Sequence, residues 1–168
     1  NLMGDNAVFN TRFSDYLLVK AVEISEPDPE PVDPDYGFTS VDDRDEALIY
    51  TGTWHDDNNA SFSEGTARYT NSTDASVVFS FTGTSIRWYG QRDTNFGTAE
   101  VYLDDELKTT VDANGAAEAG VCLFEALDLP AAEHTIKIVC KSGVIDIDRF
   151  AYEAATLEPI YEKVDALS

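Results

Sequence analysis

Residues 76–91 read SVVFSFTGTSIRWYGQ, two β-prone apolar runs separated by the breaker TGT at positions 82–84. In the first run Phe79 and Phe81 alternate with a serine, so one face can be buried while the other meets solvent or a second layer. Thr and Gly are common in tight turns between paired strands. The spacing therefore predicts a β-hairpin, with one strand on each side of the TGT breaker.

The same kind of pattern continues along most of the chain. From Tyr36 to Tyr152 short β-prone runs are separated by turn residues, and about nine strands over such a length are typical of a sandwich. Asp104 and Asp105 form another tight connection between two runs. We therefore predict an all-β fold, an antiparallel two-sheet β-sandwich. The predicted strands are 47–51, 66–70, 76–82, 85–91, 98–103, 107–111, 121–127, 134–140 and 144–152.

The charge of the chain excludes several kinds of partner. It has 168 residues and a formal net charge of −21, from 11 Lys and Arg against 32 Asp and Glu. Such an acidic surface repels phosphate backbones and anionic lipid headgroups, and it lacks the basic patch that nucleic-acid binding requires. No apolar run approaches the roughly 18 residues of a membrane-spanning helix. We therefore expect neither a nucleic-acid nor a membrane partner. We also expect a monomer.

Composition also divides the chain into segments. Residues 25–35 hold four of the six prolines, interleaved with acidic residues, which predicts an extended linker. Residues 1–24 are expected to be the end of a preceding domain or a docked extra strand. The β-sandwich is expected over residues 36–153, and residues 154–168 are expected to form a tail or the start of a following helical segment. The chain is thus expected to be a piece of a longer protein.

The two cysteines, Cys122 and Cys140, fit neither a zinc pattern nor a CxxC redox pair. If their two runs form a hairpin centred at Ala131, the cysteines lie opposite each other and can form a cross-strand disulfide. A register shift of one residue would place their side chains on opposite faces. The alternative is a pair of buried thiols, since unpaired Cys is among the most buried residue types.

Several segments in a characteristic order resemble the galactose-binding-domain-like carbohydrate-binding modules, jelly-roll β-sandwiches of secreted bacterial glycan-active enzymes. The resemblance covers about residues 36–153, and it implies a jelly-roll sandwich with ligand-binding loops at one end. One departure is Asp105, which stands where the family usually has Gly after the hairpin Asp. The matching segments are VDD at 41–43, IYTGTW at 49–54, FSFTGTSI at 79–86, GTAEVYLD at 97–104, Leu129 with HTIKI at 134–138, and IDRF at 147–150.

Two polar segments carry the residue types that sugar binding requires, namely an aromatic face for the apolar side of a pyranose and donors and acceptors for its hydroxyls. The first begins at Trp54 with His55, and the second contains Arg92, Asn95 and Phe96. We predict these five residues as the ligand-binding set, on loops at one end of the sandwich. The alternatives are a core anchor for Trp54, an incidental exposed imidazole for His55 and a surface ion pair for Arg92.

Acidic residues are clustered at 42–46 and at 146–148. Carboxylate oxygens on neighbouring chain ends are suitable ligands for Ca²⁺, and modules of the family that the chain resembles often carry a structural calcium. We therefore predict Asp43 and Asp148 as ligands of a structural Ca²⁺. The alternative is chance, because a chain with 32 acidic residues contains many acidic pairs.

These observations lead to three competing functions. The first is a non-catalytic carbohydrate-binding module that holds an attached glycan-active enzyme, such as a glycoside hydrolase, on a neutral and galactose-type glycan. The alternative is a structural or adhesive spacer domain of a cell-surface protein, without a sugar site. A small hydrolase is the third; the sequence contains no GxSxG, HExxH, P-loop or Rossmann motif, so we predict that the chain is not an enzyme. The expected location is extracellular or on a bacterial cell surface.

Overall fold

The computed structural model describes residues 33–155. The chain divides into two compact units, Asn1–Tyr36 and Gly37–Ser168. In the first unit, Tyr36 N donates to Asp33 O at 2.9 Å, which closes a turn. The predicted segment 1–24, most of the predicted linker and most of the predicted tail lie outside the described residues. The fold described below is that of the second unit.

Residues 37–155 contain eleven β-strands and no α-helix, and all strand pairs are antiparallel. The predicted all-β fold with two antiparallel sheets is therefore confirmed. Among the described residues no helix is long and apolar enough to cross a membrane. The strands are β1 (Thr39–Asp42), β2 (Ile49–Thr51), β3 (His55–Asn58), β4 (Thr66–Thr70), β5 (Ser76–Arg92), β6 (Thr98–Leu103), β7 (Glu106–Asp112), β8 (Glu118–Ala126), β9 (Ala132–Cys140), β10 (Ile145–Ile147) and β11 (Arg149–Ala154).

The strands form a large and a small sheet. The large sheet has eight strands, six of them in the order β1-β11-β5-β9-β6-β7, and both β2 and β8 also pair with β5. The small sheet has three strands in the order β10-β4-β3. Strand β5 is the centre of this arrangement, because four other strands pair with it.

The predicted hairpin at the TGT breaker is wrong, because β5 runs through it as one strand of 17 residues. Gly83 is paired with Ala132 on β9 and with Ala154 on β11. A Cβ atom at this position would overlap the carbonyl oxygen of Glu153. The glycine therefore allows a close approach of two backbones, rather than a turn. Before it β5 pairs with β2 and β9, and after it with β11 and β8.

The core lies around β5 and is mostly aromatic and β-branched. Trp88, Phe150 and Ile86 have no exposed surface. The ring of Phe79 stacks on Phe81 at a centroid distance of 5.9 Å and on Phe150 at 5.6 Å. These ring contacts join the first half of β5 to β11. Backbone pairing joins the second half of β5 to the same strand.

The hairpin on which a Cys122–Cys140 disulfide depends does not form, and of the alternative pair of buried thiols only Cys140 is buried, since Cys122 is exposed. Strands β8 and β9 do not pair with each other, because each pairs with a different half of β5. Cys122 lies opposite Tyr89 and Cys140 lies opposite Ala99, and Cys140 is a buried free thiol. The connection between the two strands is held across β5, where Leu129 N donates to Thr84 O at 2.8 Å. The two cysteines form no disulfide, since the strands that carry them do not pair with each other.

The predicted connection at Asp104 and Asp105 is present between β6 and β7. The two residues have φ angles of +53° and +66°. Positive φ at both central residues is the geometry of the type I′ turn, which matches the twist of antiparallel strands. Asp tolerates this region better than most residues, so the hairpin forms with Asp, and not Gly, at position 105.

Candidate functional site

A cavity of about 400 Å³ lies beside the small sheet. Its lining comes from β3, β4 and β10, from the end of β5 and from the segment that follows β5. The lining is mostly polar and acidic, with two aromatic rings. The residues are Asp56, Asp57, Tyr69, Gln91, Asp93, Asn95, Phe96, Val144 and Asp146.

The small sheet supplies one side of the cavity. Tyr69 on β4 is in register with Asp146 on β10 and with His55 on β3. The rings of His55 and Tyr69 lie 5.2 Å apart. The segment that carries His55 is a strand and not the predicted loop, and this exposed imidazole packs on a cavity residue without lining the cavity itself.

The segment after β5 supplies the other side, and hydrogen bonds from the chain around Asn114 hold it. Asp93 N donates to Ala113 O at 3.2 Å, and Phe96 N donates to Asp93 O at 3.2 Å. Asn114 Nδ2 donates to the carbonyl oxygens of Thr94, at 2.7 Å, and of Phe96, at 3.1 Å. These bonds fix the backbone on which the side chains of Asn95 and Phe96 stand.

Of the five predicted ligand-binding residues, the structure places Asn95 and Phe96 in the cavity lining. Arg92 is outside it, and its Nη1 donates to Asp112 O at 2.6 Å, beside the chain that holds the cavity segment. Trp54 is also outside. Its ring packs edge-on against Tyr50 at 5.0 Å, its Nε1 donates to Thr51 O at 3.1 Å, and it is packed against the hydrophobic core.

Asp146 is the most buried acid of the cavity, with 2% of its surface exposed. Its Oδ1 accepts a hydrogen bond from Gln91 N at 2.7 Å, and its carbonyl oxygen accepts one from Trp88 Nε1 at 3.1 Å. Burial raises the pKa of Asp146 to about 7, and the negative charges of Asp148 and Asp57 add to this effect. The carboxyl can therefore exchange a proton near neutral pH.

The predicted calcium ligands lie in a second acidic cluster. Asp43 is 0% exposed and Asp148 is 2% exposed. The pairing of β1 with β11 brings them together, since Asp42 lies opposite Arg149. Burial raises the pKa of Asp43 and of Asp148 to about 6.

This cluster offers oxygen atoms to a cation. Thr66 Oγ1 donates to Asp43 Oδ1 at 2.6 Å, and Ser63 N donates to Asp148 Oδ1 at 2.8 Å. Asp43 Oδ2 and Asp42 Oδ1 are buried and accept no hydrogen bond within the described part of the chain. Residues 33–155 contain no group of three or more His, Cys, Asp or Glu side chains arranged to hold a metal ion. The orphaned oxygens fit a hard cation, and main-chain carbonyls or water would have to complete its coordination.

Most of the cavity lining was not among the predicted ligand-binding residues. The two predicted segments contain Gln91 and Asp93, and Asp56 and Asp57, but the residues predicted as ligands were their neighbours. Tyr69 looked like an ordinary strand residue, because its position in β4 gives no sign of what lies opposite. A useful signal was the polar character of 91–96 between two strands, which does mark one side of the cavity.

A curated protein is clearly related to this chain. The two are 55% identical over 122 residues, and the relative is the A type blood N-acetyl-alpha-D-galactosamine deacetylase of Flavonifractor plautii. The alignment covers 73% of this chain and 16% of the relative, so the chain spans about a sixth of that protein's length. No family model matches the chain.

Solved structures with the same fold belong to glycan-active enzymes. A family two carbohydrate esterase from Cellvibrio japonicus matches with a TM-score of 0.54 and 14% identity, over 73% of this chain and 37% of that one. An exo-beta-1,3-galactanase from Phanerochaete chrysosporium matches with a TM-score of 0.51 and 17% identity, over 68% and 29% of the two chains. At these identities the matches show a shared β-sandwich-like fold.

The chain is therefore a β-sandwich domain related to a glycan-acting enzyme. This corrects the prediction that it is not an enzyme, because the relative with 55% identity is itself named as a deacetylase. The prediction relied on the absence of linear catalytic motifs. Carboxylates that act on a glycan need no such motif, since folding can bring them together from distant segments.

Proposed function

We propose that this chain is a glycan-binding domain of an enzyme that acts on glycans, with the jelly-roll architecture of galactose-binding-domain-like modules. The observation that carries the proposal is the cavity beside the small sheet. It combines the rings of Phe96 and Tyr69 with the amide of Asn95 and with several carboxylates. Binding there would hold the enzyme on its glycan.

The chemistry of the lining suits a sugar. An aromatic ring packs against the apolar face of a pyranose, and carboxylate and amide oxygens accept hydrogen bonds from its hydroxyls. The volume of about 400 Å³ is within the range of small-molecule sites and accommodates one or two sugar units. A site of this size gains little beyond the entropy of association, so the dissociation constant should be on the order of micromolar to millimolar.

The related deacetylase and the net charge of the chain restrict the class of glycan that we expect as the ligand. The deacetylase acts, by its name, on N-acetyl-alpha-D-galactosamine, which supports a galactose-type sugar as the ligand here. The net charge of −21 opposes the approach of glycans that carry uronate or sulfate groups. Glycans of this kind occur outside the cell, so we propose that the domain is extracellular or on a bacterial cell surface. We also propose that it is a monomer.

We propose that the second acidic cluster, with Asp43 and Asp148, binds a calcium ion that stabilises the fold. Asp43 and Asp148 would hold Ca²⁺ between the end of β1 and the start of β11, and the ion would coordinate Asp43 Oδ2, a buried oxygen that accepts no hydrogen bond within the described part of the chain. Its effect would be to fix the two strand ends. No step in glycan binding passes through it.

A glycan array tests the proposal directly. The 168-residue chain is applied with Ca²⁺ and with EDTA, and we expect weak, selective binding to galactose-type glycans. Titration with the best glycan should then show loss of binding in Asn95→Ala at an unchanged melting temperature. An array without signal at millimolar sugar would favour a structural or adhesive spacer instead.

A further inference from the structure

We propose that Asn114 is a positioning residue for the cavity, and that the bond between Asn114 and Gly115 is a site of spontaneous deamidation that weakens glycan binding. The inference rests on the proposed function, because it names a regulation of the same site. It follows from the hydrogen bonds of one side-chain amide and from the residue that comes after it.

The side-chain amide of Asn114 bridges two carbonyl oxygens of the cavity segment. Its Nδ2 donates to Thr94 O at 2.7 Å and to Phe96 O at 3.1 Å. A carboxamide nitrogen carries two N–H groups, so each carbonyl can receive one of them. An ionised Asp has nearly the same shape but only acceptors, and its oxygens would face the two carbonyl oxygens without a donor between them. The side chain at position 114 must therefore be a donor to hold the segment.

The amide bridge holds the part of the segment that carries the cavity side chains. The two ends have main-chain hydrogen bonds of their own, since Asp93 N donates to Ala113 O at 3.2 Å and Gly97 N donates to a carbonyl before β10 at 2.9 Å. Asn95 and Phe96 lie between these ends and line the cavity. Loss of the bridge should therefore displace these two side chains while the sandwich keeps its own bonds. We expect a larger effect on binding than on stability.

Glycine follows Asn114, and an Asn-Gly step is prone to deamidation because no side chain hinders the attacking backbone nitrogen. Neither the backbone conformation nor the available space requires glycine here. Gly115 does not have a positive φ angle, and a Cβ atom would meet nothing closer than Arg92 Cδ at 3.7 Å. Asn114 is exposed and Gly115 is partly exposed, so water can reach the bond between them.

The reaction begins when the backbone nitrogen of Gly115 attacks Cγ of Asn114. The new N–Cγ bond closes a succinimide ring, the Cγ–Nδ2 bond breaks, and the amide nitrogen leaves as ammonia with the proton that the backbone nitrogen loses. Water then opens the ring at either carbonyl, which gives aspartate or isoaspartate. Both products have lost the Nδ2 donor and have gained a negative charge.

The folded cavity segment should control the rate of this reaction. Gly115 N donates to Asp93 O at 3.1 Å, and the nitrogen that must leave is the one that forms the bridge. Both reacting groups are thus engaged while the segment is in place, and both are released when it opens. Because a bound glycan favours the closed segment, it should slow deamidation by mass action.

The first experiment measures the modification. The intact 168-residue chain is kept for several days in mildly alkaline buffer, and mass spectrometry of its peptides follows the conversion of Asn114. We expect conversion in the native chain, and a severalfold lower rate in Gly115→Ala, because the methyl group hinders ring closure. Saturating methyl α-galactoside should also lower the rate severalfold.

The second experiment measures the effect on the cavity. Asn114→Asp should bind methyl α-galactoside about tenfold more weakly than the native chain, with a small change in melting temperature and with faster hydrogen exchange of the Phe96 amide. Asn71→Asp is the matched control, because it adds the same charge at an exposed asparagine outside the cavity lining. After ageing, Gly115→Ala should keep its affinity, whereas the native chain should lose it.

Aged native chain, separated from fresh protein by anion exchange, gives the same comparison in a protein that has already folded. An Asn114 that stays intact, or that converts equally fast in Gly115→Ala, would overturn the modification site. Native affinity and native exchange at Phe96 after conversion would overturn the positioning role, as would an equal loss of affinity in Asn71→Asp. If the native chain does not bind the sugar, that result counts against the proposed function, and the deamidation rates and hydrogen exchange decide the inference alone.

Discussion

His134 Nδ1 lies 2.7 Å from Asp104 Oδ2, and the other ring nitrogen, Nε2, lies 2.7 Å from Pro130 O. Both neighbours are acceptors, so both ring nitrogens can donate only when the imidazole is protonated. The hydrogen bond to Pro130, followed by that to Asp104, raises the pKa of His134 above 6.5. The contact also supports the β6–β7 hairpin, since Thr135 N donates to Asp104 Oδ1 at 2.9 Å.

We predict that this pair makes stability depend on pH. A raised histidine pKa contributes stability that is complete below pH 6.5 and is lost as pH rises through the folded-state value. Burial acts to raise the pKa of Asp104, but the hydrogen bonds from His134 and Thr135 outweigh it, so the net pKa is below 3.8. The Asp104 contribution is therefore present above that value and lost in stronger acid. Urea unfolding of the native chain and of His134→Gln should show the largest difference between about pH 4 and 6.5. A constant difference from pH 4 to 9 would contradict this.

Gly83→Ala should destabilise the sandwich by about 1–3 kcal/mol, because the added Cβ overlaps the carbonyl oxygen of Glu153 and must displace β11 from β5. Chemical unfolding measures the loss. Gly115→Ala is the matched control, since its Cβ would meet nothing closer than Arg92 Cδ at 3.7 Å. Equal stability of the two variants would show that the close approach at Gly83 is not needed.

Calcium should raise the melting temperature, because binding to the folded state alone stabilises it by mass action. Burial raises the pKa values of Asp43 and Asp148 to about 6, so without calcium both carboxylates are charged at pH 7 and their burial lowers the stability of the fold. As the pH falls through 6 the carboxylates take up protons, and this stability is regained. The calcium effect should therefore be larger at pH 7 than at pH 5. Asp43→Asn should lose it, whereas Asp128→Asn, an exposed site, should keep it. Identical melting curves in EDTA and in excess Ca²⁺ would contradict the site.

Substitution of Trp54 should mainly lower stability, whereas substitution of Phe96 should mainly lower glycan affinity. Trp54→Ala removes a ring that packs on Tyr50 and the core, and it should cost about 1–3 kcal/mol of stability with glycan affinity retained. Phe96→Ala should reduce glycan affinity at least tenfold, with a smaller loss of stability. Differential scanning fluorimetry and sugar titration measure the two quantities. Loss of affinity in Trp54→Ala at an unchanged melting temperature would place the site near Trp54 instead.

The two thiols should differ in reactivity. Cys122 is exposed, whereas Cys140 is buried and its pKa is raised, chiefly by burial, which disfavours the reactive thiolate. A thiol reagent should modify one cysteine per native chain and two per unfolded chain. If no cysteine reacts in denaturant, the two cysteines form a disulfide, contrary to the separate pairing of β8 and β9.

Part of the candidate site could be inferred from the sequence. A polar stretch between two strands predicts a loop at the end of the sandwich, and Asn95 and Phe96 of this stretch line one side of the cavity. The other side of the cavity could not be inferred from the sequence. Asp146 and Tyr69 lie on separate strands, and only the register of β10 on β4 makes them neighbours. No spacing along the chain encodes that register.

By itself the sequence determined the fold class and several strand bounds, because alternation of buried and exposed residues is a local property. Strands β4 and β6 match the predicted runs 66–70 and 98–103 residue for residue. The tertiary structure determined the roles of the predicted strand breakers and of the polar residues in the cavity. Gly83 continues a strand because the backbone at Glu153 lies against it, and Asp146 lines a cavity because β10 pairs with β4. Such contacts join residues far apart in the chain, and they are set by packing of the whole core rather than by the preferences of neighbouring residues.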